Sequence, residues 1–426
     1  MKKKVLLLAD RHVIRNQQIN LGDRAIYDGL YEIMENDLNL EVISGGWKNF
    51  PYLNLKKFRE SDSEEEILKH FEKEADKLLG YSKKRIQREK KLLHFVDSNF
   101  IFNRGPLLWI EKTFQAKKTL GLQEALKPYI FRAAYANRLI QKIRRADMVM
   151  LYGSSASDNV SHYLPAYLLE IYLAKKLGKK VATINQTVHL EKPLAQRLLK
   201  TIYSLMDFHS VREPSSQQHL IEIGLPKESL LLTCDGAFGI KKRALDVSEI
   251  LKKEKMEDGY IALLIRGDRK VDEKLWQNIV KKLEEKYQKE IIFLHTCKSH
   301  DEKVFQVIRK GNRLRSTQKY YDYPVVIELL KKASVLISDR YHAFLFALMA
   351  GTSIAPLKTV SHKIDGLAEL TEYPLKPCEM EEEKIMEQVE KALSLKGDIK
   401  AIEGKACREL RDKLKADLAE TVVRLQ

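Results

Sequence analysis

Apolar residues along this chain form two patterns: short continuous runs, and longer stretches in which they recur every three or four positions. The first pattern is typical of strands buried on both faces of a parallel sheet, and the second of helices with one buried face. In the N-terminal half, the predicted strands are KVLLLAD, LEVISGG, ADMVMLYGSS, KKVATINQ and FHSVRE. Helical patterns such as Ala166–Leu177, which Gly178 follows, lie between most of them. This alternation predicts α/β architecture with parallel sheets.

A second set of strands and helices begins at Gly259 with GYIALLIRGD and continues through EIIFLHTCKSHDE, ASVLISDRYH and TSIAPL. The lysine-rich segment from Lys241 to Gly259 separates the two sets. A chain of 426 residues is too long for one hydrophobic core, so we predict two Rossmann-like domains in a GT-B-like arrangement. Their expected limits are residues 1–240 and 241–400, followed by a C-terminal helix over 401–426.

The segment from Pro51 to Arg145 is highly charged and mostly helical in pattern, and it is longer than an ordinary connection between a strand and a helix. We therefore predict a helical insertion at about 51–145 within the N-terminal domain. Its most basic stretch, KKRIQREKK (Lys83–Lys91), could be a solvated helix face or a patch that contacts an anionic membrane surface. Nucleic acid is not an expected partner, because no recognition module accompanies the charge.

The formal net charge of +16 gives the protein a surface that attracts anions, including phosphorylated substrates. No apolar run approaches the roughly 18 residues of a membrane span, and the run after MKKK is too short for a signal peptide. The four cysteines are scattered and form no C-x-x-C pair, so neither a disulfide framework nor a zinc site is indicated. These features predict a cytoplasmic protein, either free or bound peripherally at the inner face of the membrane, with no metal and no cofactor.

The stretch ISDRYHAFLFALMAG (Ile337–Gly351) places an arginine and a histidine at the start of an apolar helix. With Asp339 as the N-cap, Arg340, Tyr341 and His342 would occupy the first helical turn, where unpaired N–H groups and the helix dipole attract anions. The same dipole favours a neutral His342 that can exchange a proton near pH 7. The alternative is that Arg340 pairs with a neighbouring acid and His342 only fills space.

Other polar residues follow the predicted strands, at the sheet edge where α/β proteins bind ligands. Gly22 permits a close backbone approach, and Asp23 is the expected cap of the first helix. The small-residue loop Gly153–Asn159 could present N–H and hydroxyl groups to an anion. Arg212 and Arg266 each end a predicted strand and could bind a ligand or pair with an acid within the fold. His295, which follows IIFL, could face the cleft, but the simpler interpretation is a histidine buried in the core.

Several reaction types are not indicated by the sequence. It contains no G-x-S-x-G, H-E-x-x-H, Walker or G-x-G-x-x-G motif, and no cluster with the spacing of metal ligands. The remaining pattern, a basic cleft with an arginine and a histidine in one helical turn, favours group transfer from an anionic donor.

The order of these features resembles the polysaccharide pyruvyl transferase family, GT-B-like enzymes that move pyruvate from phosphoenolpyruvate onto a sugar. The N-x-G-D-x-A-I motif of that family is similar to residues 20–26, and its glycine-rich loop to 153–158. Its V-R-[DE]-x-x-S segment resembles 211–216, its S-x-R-[LY]-H signature resembles 338–342, and its lysine-containing turn resembles 361–367. The matches span Asn20 to about Leu367 and leave the insertion uncovered.

The resemblance implies a role for each matching residue. Arg340, Tyr341 (partly through its backbone) and His342 would hold phosphoenolpyruvate, Arg212 would be a further anion contact, and His342 would be the acid and base. Arg266 joins the donor side from its position alone. The residues expected on the acceptor side are Asp23, Gly153, Ser154, Asp158, His162 and His189.

The implied acceptor is a sugar of a cell-surface polysaccharide, in lipid-linked or nucleotide-linked form. The family's G-x-G-P turn on the acceptor side is replaced here by Asn185–His189. Two alternatives remain open at this point. One is a nucleotide-sugar glycosyltransferase of GT-B fold, and the other is a family member without catalysis that acts as a binding subunit in glycan assembly.

Overall fold

In a computed structural model of the protein, two sheets of parallel strands form the framework. The structure describes residues 2–8, 20–45, 57–84, 136–152, 164–241, 245–256, 259–267, 271–359, 363–395 and 399–426. Helices cover both faces of each sheet, as parallel sheets require because neither face can be left in water. The predicted α/β class with two Rossmann-like units is confirmed.

The first sheet has six strands in the spatial order β2-β1-β3-β4-β5-β6. They are β1 Lys4–Leu8, β2 Glu41–Gly45, β3 Met148–Tyr152, β4 Lys180–Gln186, β5 Phe208–Val211 and β6 Leu230–Leu232. The first five agree with the predicted runs. The sixth was missed because three leucines are too short a run to distinguish a strand from a loop.

Six helices of the described ranges accompany this sheet. They are α1 Leu21–Glu32, α2 Glu64–Lys84, α3 136–145, α4 Leu164–Lys176, α5 Pro193–Tyr203 and α6 Pro214–Glu222. Asn20 caps α1, because its side-chain oxygen accepts a hydrogen bond from the Gly22 N–H at 3.0 Å. The prediction that Asp23 is this cap was therefore wrong, and Asp23 lies in the first turn.

The described ends of the predicted insertion belong to the core of the first domain. Phe71 of α2 and Ile140 of α3 are fully buried in one apolar cluster with Leu6 and Val149 of the sheet. The two helices thus cover one face of the first sheet. Residues 85–135, which include most of the KKRIQREKK stretch, lie outside the described residues.

The second sheet has five strands in the order β11-β10-β7-β8-β9. They are β7 Ile261–Leu264, β8 Ile291–Phe293, β9 Arg315–Ser316, β10 Val335–Ser338 and β11 Ile354–Pro356. Its helices are α7 Ser248–Glu254, α8 Glu273–Tyr287, α9 Lys298–Ile308, α10 Tyr323–Leu330, α11 Tyr341–Ala350, α12 Lys363–Leu370 and α13 Glu382–Ser394. Strand order reverses between β7 and β10, and ligands of such sheets bind at the carboxyl ends of the strands that flank a reversal.

One apolar core continues from the first domain into the second. It contains Leu7 and Ala25 from the first domain together with Leu264 and Phe344 from the second. The last helix, α14 (Ile399–Arg424), returns to the first domain. There its Arg411 donates a hydrogen bond to the Gly239 carbonyl and pairs with Asp37 at 2.8 Å.

A buried histidine in the first domain makes stability depend on pH. His209 is 1% exposed and stacks on the ring of Tyr203, with centroids 4.8 Å apart. Its Nε2 lies 3.1 Å from the Tyr203 carbonyl oxygen. Burial lowers the pKa of His209 from 6.5 to about 4.

As the pH falls from about 6.5 to about 4, the unfolded chain gains a proton at position 209 and the folded chain does not. The free energy of unfolding should therefore fall over this range, by about 3 kcal/mol at most. Urea unfolding at pH 7 and pH 5 measures this loss. His209→Gln should remove most of the loss, whereas His300→Gln, at an exposed position, should leave it in place. An equal loss in the His209→Gln protein would contradict the assignment.

Candidate active site

The start of α11 lies at the strand reversal of the second sheet. The helix begins at Tyr341, and Arg340 is its N-cap residue with φ −103°. Asp339, the predicted cap, instead accepts a hydrogen bond from the Arg266 N–H at 2.8 Å and so joins the ends of β10 and β7. The helix thus begins one residue later than predicted, with Tyr341 and His342 in its first turn.

The imidazole of His342 lies directly against the backbone of Gly22 in α1. A Cβ atom at position 22 would be 1.9 Å from His342 Nδ1 and 2.2 Å from its Cγ, which no side chain can occupy. The predicted close approach at Gly22 is therefore confirmed, and the approaching group is the histidine of the second domain. Two motifs that lie 320 residues apart in the chain meet at this contact.

The other side of the His342 ring faces a buried carboxylate. His342 Nε2 lies 3.7 Å from Asp235 Oδ2, and Asp235 has no exposed surface. The second oxygen of Asp235 accepts a hydrogen bond from the Ala237 N–H at 2.8 Å, which caps a short 3₁₀ helix, Gly236–Gly239. That turn packs tightly on α1, since a Cβ at Gly29 would be 2.1 Å from the Gly236 carbonyl oxygen.

Arg212 joins this carboxylate to a second one. The guanidinium, in a residue only 3% exposed, pairs with Asp235 through Nη1 and with Glu213 through Nε at 2.9 Å. Its Nε also donates to the Thr187 hydroxyl at 2.7 Å. Burial by itself would raise the pKa of Asp235, but the charge of Arg212 and the neighbouring His342 lower it to about 2. Asp235 is therefore a carboxylate at any pH near neutrality.

Tyr341 packs beneath Arg212. Its ring centroid lies 4.5 Å from the Arg212 guanidinium carbon, a cation–π contact. Burial raises the pKa of Tyr341 well above its usual value, so the phenol stays neutral. Among the described residues, none forms a hydrogen bond with its hydroxyl. The side chain thus supports the site from below.

Arg340 is held by a carboxylate of its own. Its guanidinium pairs with Asp301, which has no exposed surface. The other Asp301 oxygen accepts hydrogen bonds from the N–H groups of Thr296 at 2.8 Å and Cys297 at 2.7 Å. The Thr296 carbonyl in turn accepts from the Leu21 N–H at 3.0 Å, which connects this loop to the start of α1.

The remaining predicted residues are distributed differently. His189 has a 39% exposed side chain, lies 3.7 Å from Glu191 and faces the ring of His219 at 6.0 Å. The Asp23 carbonyl accepts from the Tyr152 hydroxyl at 3.5 Å. His295 is buried next to Glu302 at 3.4 Å, and burial lowers the pKa of its imidazole, as expected for a core histidine. Gly153, Ser154, Asp158 and His162 lie outside the described residues.

Three acidic residues of the site were missed from the sequence. Glu213 is indicated only as a member of the V-R-[DE]-x-x-S segment, and no sequence pattern indicated Asp235 or Asp301 as site residues. The signal that could have indicated Asp235 is its position after an apolar run and before a glycine, at the end of β6. Asp301 lies inside α9 and has no comparable signal.

The described ranges lack two further features, a metal-ligand cluster and a membrane-spanning helix. No group of three or more His, Cys, Asp or Glu side chains there could hold a metal ion. In the same ranges, no helix is both long and apolar enough to cross a bilayer.

The chain was compared with known families and structures. A family model described as polysaccharide pyruvyl transferase matches residues 20–358. No curated protein matches the chain. A UDP-GlcNAc 2-epimerase from Neisseria meningitidis bound to UDP-GlcNAc is similar in structure, with a TM-score of 0.51, 12% identity and coverage of 100% of both chains. So is a putative UDP-N-acetylglucosamine 2-epimerase from Listeria monocytogenes, with a TM-score of 0.52, 12% identity and coverage of 99% of this chain and 98% of that one. At these identities the likeness concerns the fold, and it confirms the GT-B-like arrangement.

The contact between Gly22 and the His342 ring can be tested by adding a methyl group at position 22. Gly22→Ala should displace the His342 ring, because the new Cβ would overlap it. The helix-propensity gain of about 1 kcal/mol expected for Gly→Ala within a helix should therefore not appear. Histidine-selective NMR and thermal unfolding measure the two effects. The matched control is Gly80→Ala in α2, where a Cβ would meet nothing within 4 Å. Unchanged His342 resonances in Gly22→Ala would show that the ring does not occupy this position.

Proposed function

We propose that this chain, which belongs to the polysaccharide pyruvyl transferase family, moves pyruvate from phosphoenolpyruvate onto two hydroxyls of a saccharide, forming a ketal. The observation that carries the proposal is the position of His342. This imidazole is in the first turn of α11, beside Arg340, and contacts the Gly22 motif of the other domain. An acid that two domains enclose together is suited to a reaction between two substrates.

Donor binding is assigned to Arg340 and the first turn of α11. Phosphoenolpyruvate carries a carboxylate and a phosphate, and a guanidinium presents paired N–H donors to either group. The unpaired N–H groups of a helix N-terminus add to this attraction. Tyr341 contributes its backbone, since its phenol is buried beneath Arg212. Asp301 fixes the direction of the Arg340 guanidinium.

The chemistry requires one proton donor that later becomes an acceptor. Protonated His342 gives its proton to C3 of the enol, and a C–H bond forms as positive charge develops at C2. A sugar hydroxyl attacks C2 and loses its proton to the neutral imidazole. The second hydroxyl then replaces phosphate at C2, and its proton leaves with the phosphate. General acid–base catalysis of this kind contributes typically 10²- to 10⁴-fold in rate.

The acceptor is proposed to be a saccharide of a cell-surface polysaccharide or its lipid-linked precursor. Asp23 and His189, with Gly153, Ser154, Asp158 and His162, are assigned to its side of the cleft. Cytoplasmic location and peripheral contact with an anionic membrane through Lys83–Lys91 stay predictions. Arg266 also stays a predicted donor contact.

Phosphate release from phosphoenolpyruvate with a panel of glycosides tests the proposed function. His342→Ala should lower the rate by about 10²- to 10⁴-fold, because the acid and base are lost. His300→Ala, at an exposed position, is the control and should keep the wild-type rate. If no glycoside supports release while the protein binds a nucleotide sugar tightly, the glycosyltransferase alternative is favoured. If neither ligand is used, the chain is a binding subunit.

Replacing Arg340 should raise KM for phosphoenolpyruvate more than it lowers kcat. Arg340→Lys keeps the charge but loses the paired N–H donors, so KM for phosphoenolpyruvate should rise by roughly tenfold or more. Initial rates at varied donor concentration give this value. Arg309→Lys is the matched control and should leave KM unchanged, because the Arg309 guanidinium is exposed at the C-cap of α9, where it packs over the Phe305 ring. A fall in kcat alone would remove Arg340 from the donor contacts.

A further inference from the structure

We infer that Asp235 is a positioning residue that keeps the proton of neutral His342 on Nε2. Nδ1 is then the nitrogen through which the ring exchanges its proton with the donor. The tautomer is a property of the protein alone, whereas the role of Nδ1 in proton exchange rests on the proposed function.

The surroundings of the two ring nitrogens support this assignment. His342 Nε2 is fully buried, and no hydrogen-bond partner lies within reach among the described residues. The nearby acid is Asp235 at 3.7 Å. Catalytic hydrogen bonds are often long in ligand-free structures and tighten when the substrate binds, so a small rotation of the ring would complete this one. A buried nitrogen that faces a carboxylate cannot also reach a substrate, which leaves Nδ1, on the edge of the ring that packs against Gly22.

Asp235 is fixed tightly enough to orient a ring. One oxygen accepts the Ala237 N–H at 2.8 Å, and the other pairs with the Arg212 guanidinium. Arg212 is held from its other side by Glu213 at 2.9 Å and Thr187 at 2.7 Å. The carboxylate therefore has little freedom to turn away from His342.

The charges around the ring are unbalanced while the imidazole is neutral. Arg212 carries one positive charge, and Asp235 and Glu213 carry two negative ones, so the buried cluster has a net charge of −1 while His342 is neutral. Protonation of the imidazole brings the cluster to zero, and buried charge is costly unless it is balanced. Donation of the Nδ1 proton to C3 of the enol restores the neutral ring, and the acceptor hydroxyl then returns a proton to Nδ1.

Three further ionisable groups of the described residues near the ring leave this balance unchanged. Burial keeps the Tyr341 phenol and the Cys234 thiol neutral by raising the pKa of each. The charge of Arg340 is paired with Asp301. Asp23, which follows Gly22 in α1, is a further acid on an element packed against the ring, and its charge has the same sign as that of Asp235.

Nitrogen NMR of histidine in the donor-free full chain tests the assignment directly. The His342 signals are identified by their loss in His342→Gln. In the wild type the neutral ring should show a protonated Nε2 and a bare Nδ1. In Asp235→Asn the carboxylate that faces Nε2 is lost, so the neutral ring should no longer be held in this single tautomer. Asp235→Glu keeps a carboxylate and should keep the proton on Nε2.

Asp301→Asn is the matched control, since Asp301 is equally buried but pairs with Arg340. It should raise KM for phosphoenolpyruvate and leave the His342 proton on Nε2. Asp235→Asn should instead lower kcat by about 10²- to 10⁴-fold and leave KM for phosphoenolpyruvate close to that of the wild type.

A wild-type ring protonated on Nδ1, or an unchanged tautomer in Asp235→Asn, would overturn the inference. Because the wild-type tautomer decides the first point, a variant that fails to fold does not leave the inference untested. If the tautomer behaves as expected and no phosphate is released with any acceptor, the proposed function fails and the positioning role of Asp235 stands.

Discussion

The contact between the Gly22 backbone and the His342 ring is the constraint on which the rest of the site depends. Only a residue without a side chain lets an imidazole approach a helix this closely. The contact is reinforced on both sides: Leu21 donates to the Thr296 carbonyl at 3.0 Å, and the Tyr323 hydroxyl donates to Asp28 at 3.0 Å. Helix α1 of the first domain therefore forms one side of the site around His342.

Two buried carboxylates have the same pattern of contacts. Asp235 and Asp301 each use one oxygen to accept backbone N–H groups and the other to hold a guanidinium. A carboxylate bound in this way cannot rotate, so the arginine it holds is oriented before any ligand arrives. Because orientation established in advance lowers the cost of reaching the transition state, this arrangement is a physical reason for burying so much charge.

The repeating elements of the fold could be read from the sequence, and most of the interactions within the site could not. Apolar runs located β1 to β5, and the position of Arg340 and His342 at the start of an apolar helix indicated an anion site. The very short strands β6 and β9 gave no pattern. The pairing of Asp235 with His342 depends on how α1, β6 and α11 meet, and no spacing in the chain encodes that.

The placement of helix caps shows a finer limit. Asn20, Asp23 and Asp339 are all good capping residues by type. Asn20 caps α1, whereas Asp339 is engaged by the Arg266 N–H of a neighbouring strand. The residue type indicates which positions can cap a helix, and tertiary contacts determine which of them does.

The return of α14 to the first domain has a consequence for biosynthesis. Leu410 and Leu418 of this helix are part of the core that also contains Leu7 and Ala25, and its Leu410 carbonyl accepts from the Cys234 thiol. The N-terminal domain therefore cannot complete its core until α14 has been synthesised. Domains usually fold as units in the order of their synthesis. Here the first domain keeps part of its apolar surface exposed until α14 packs on it, which makes the docking of α14 the step that completes the shared core.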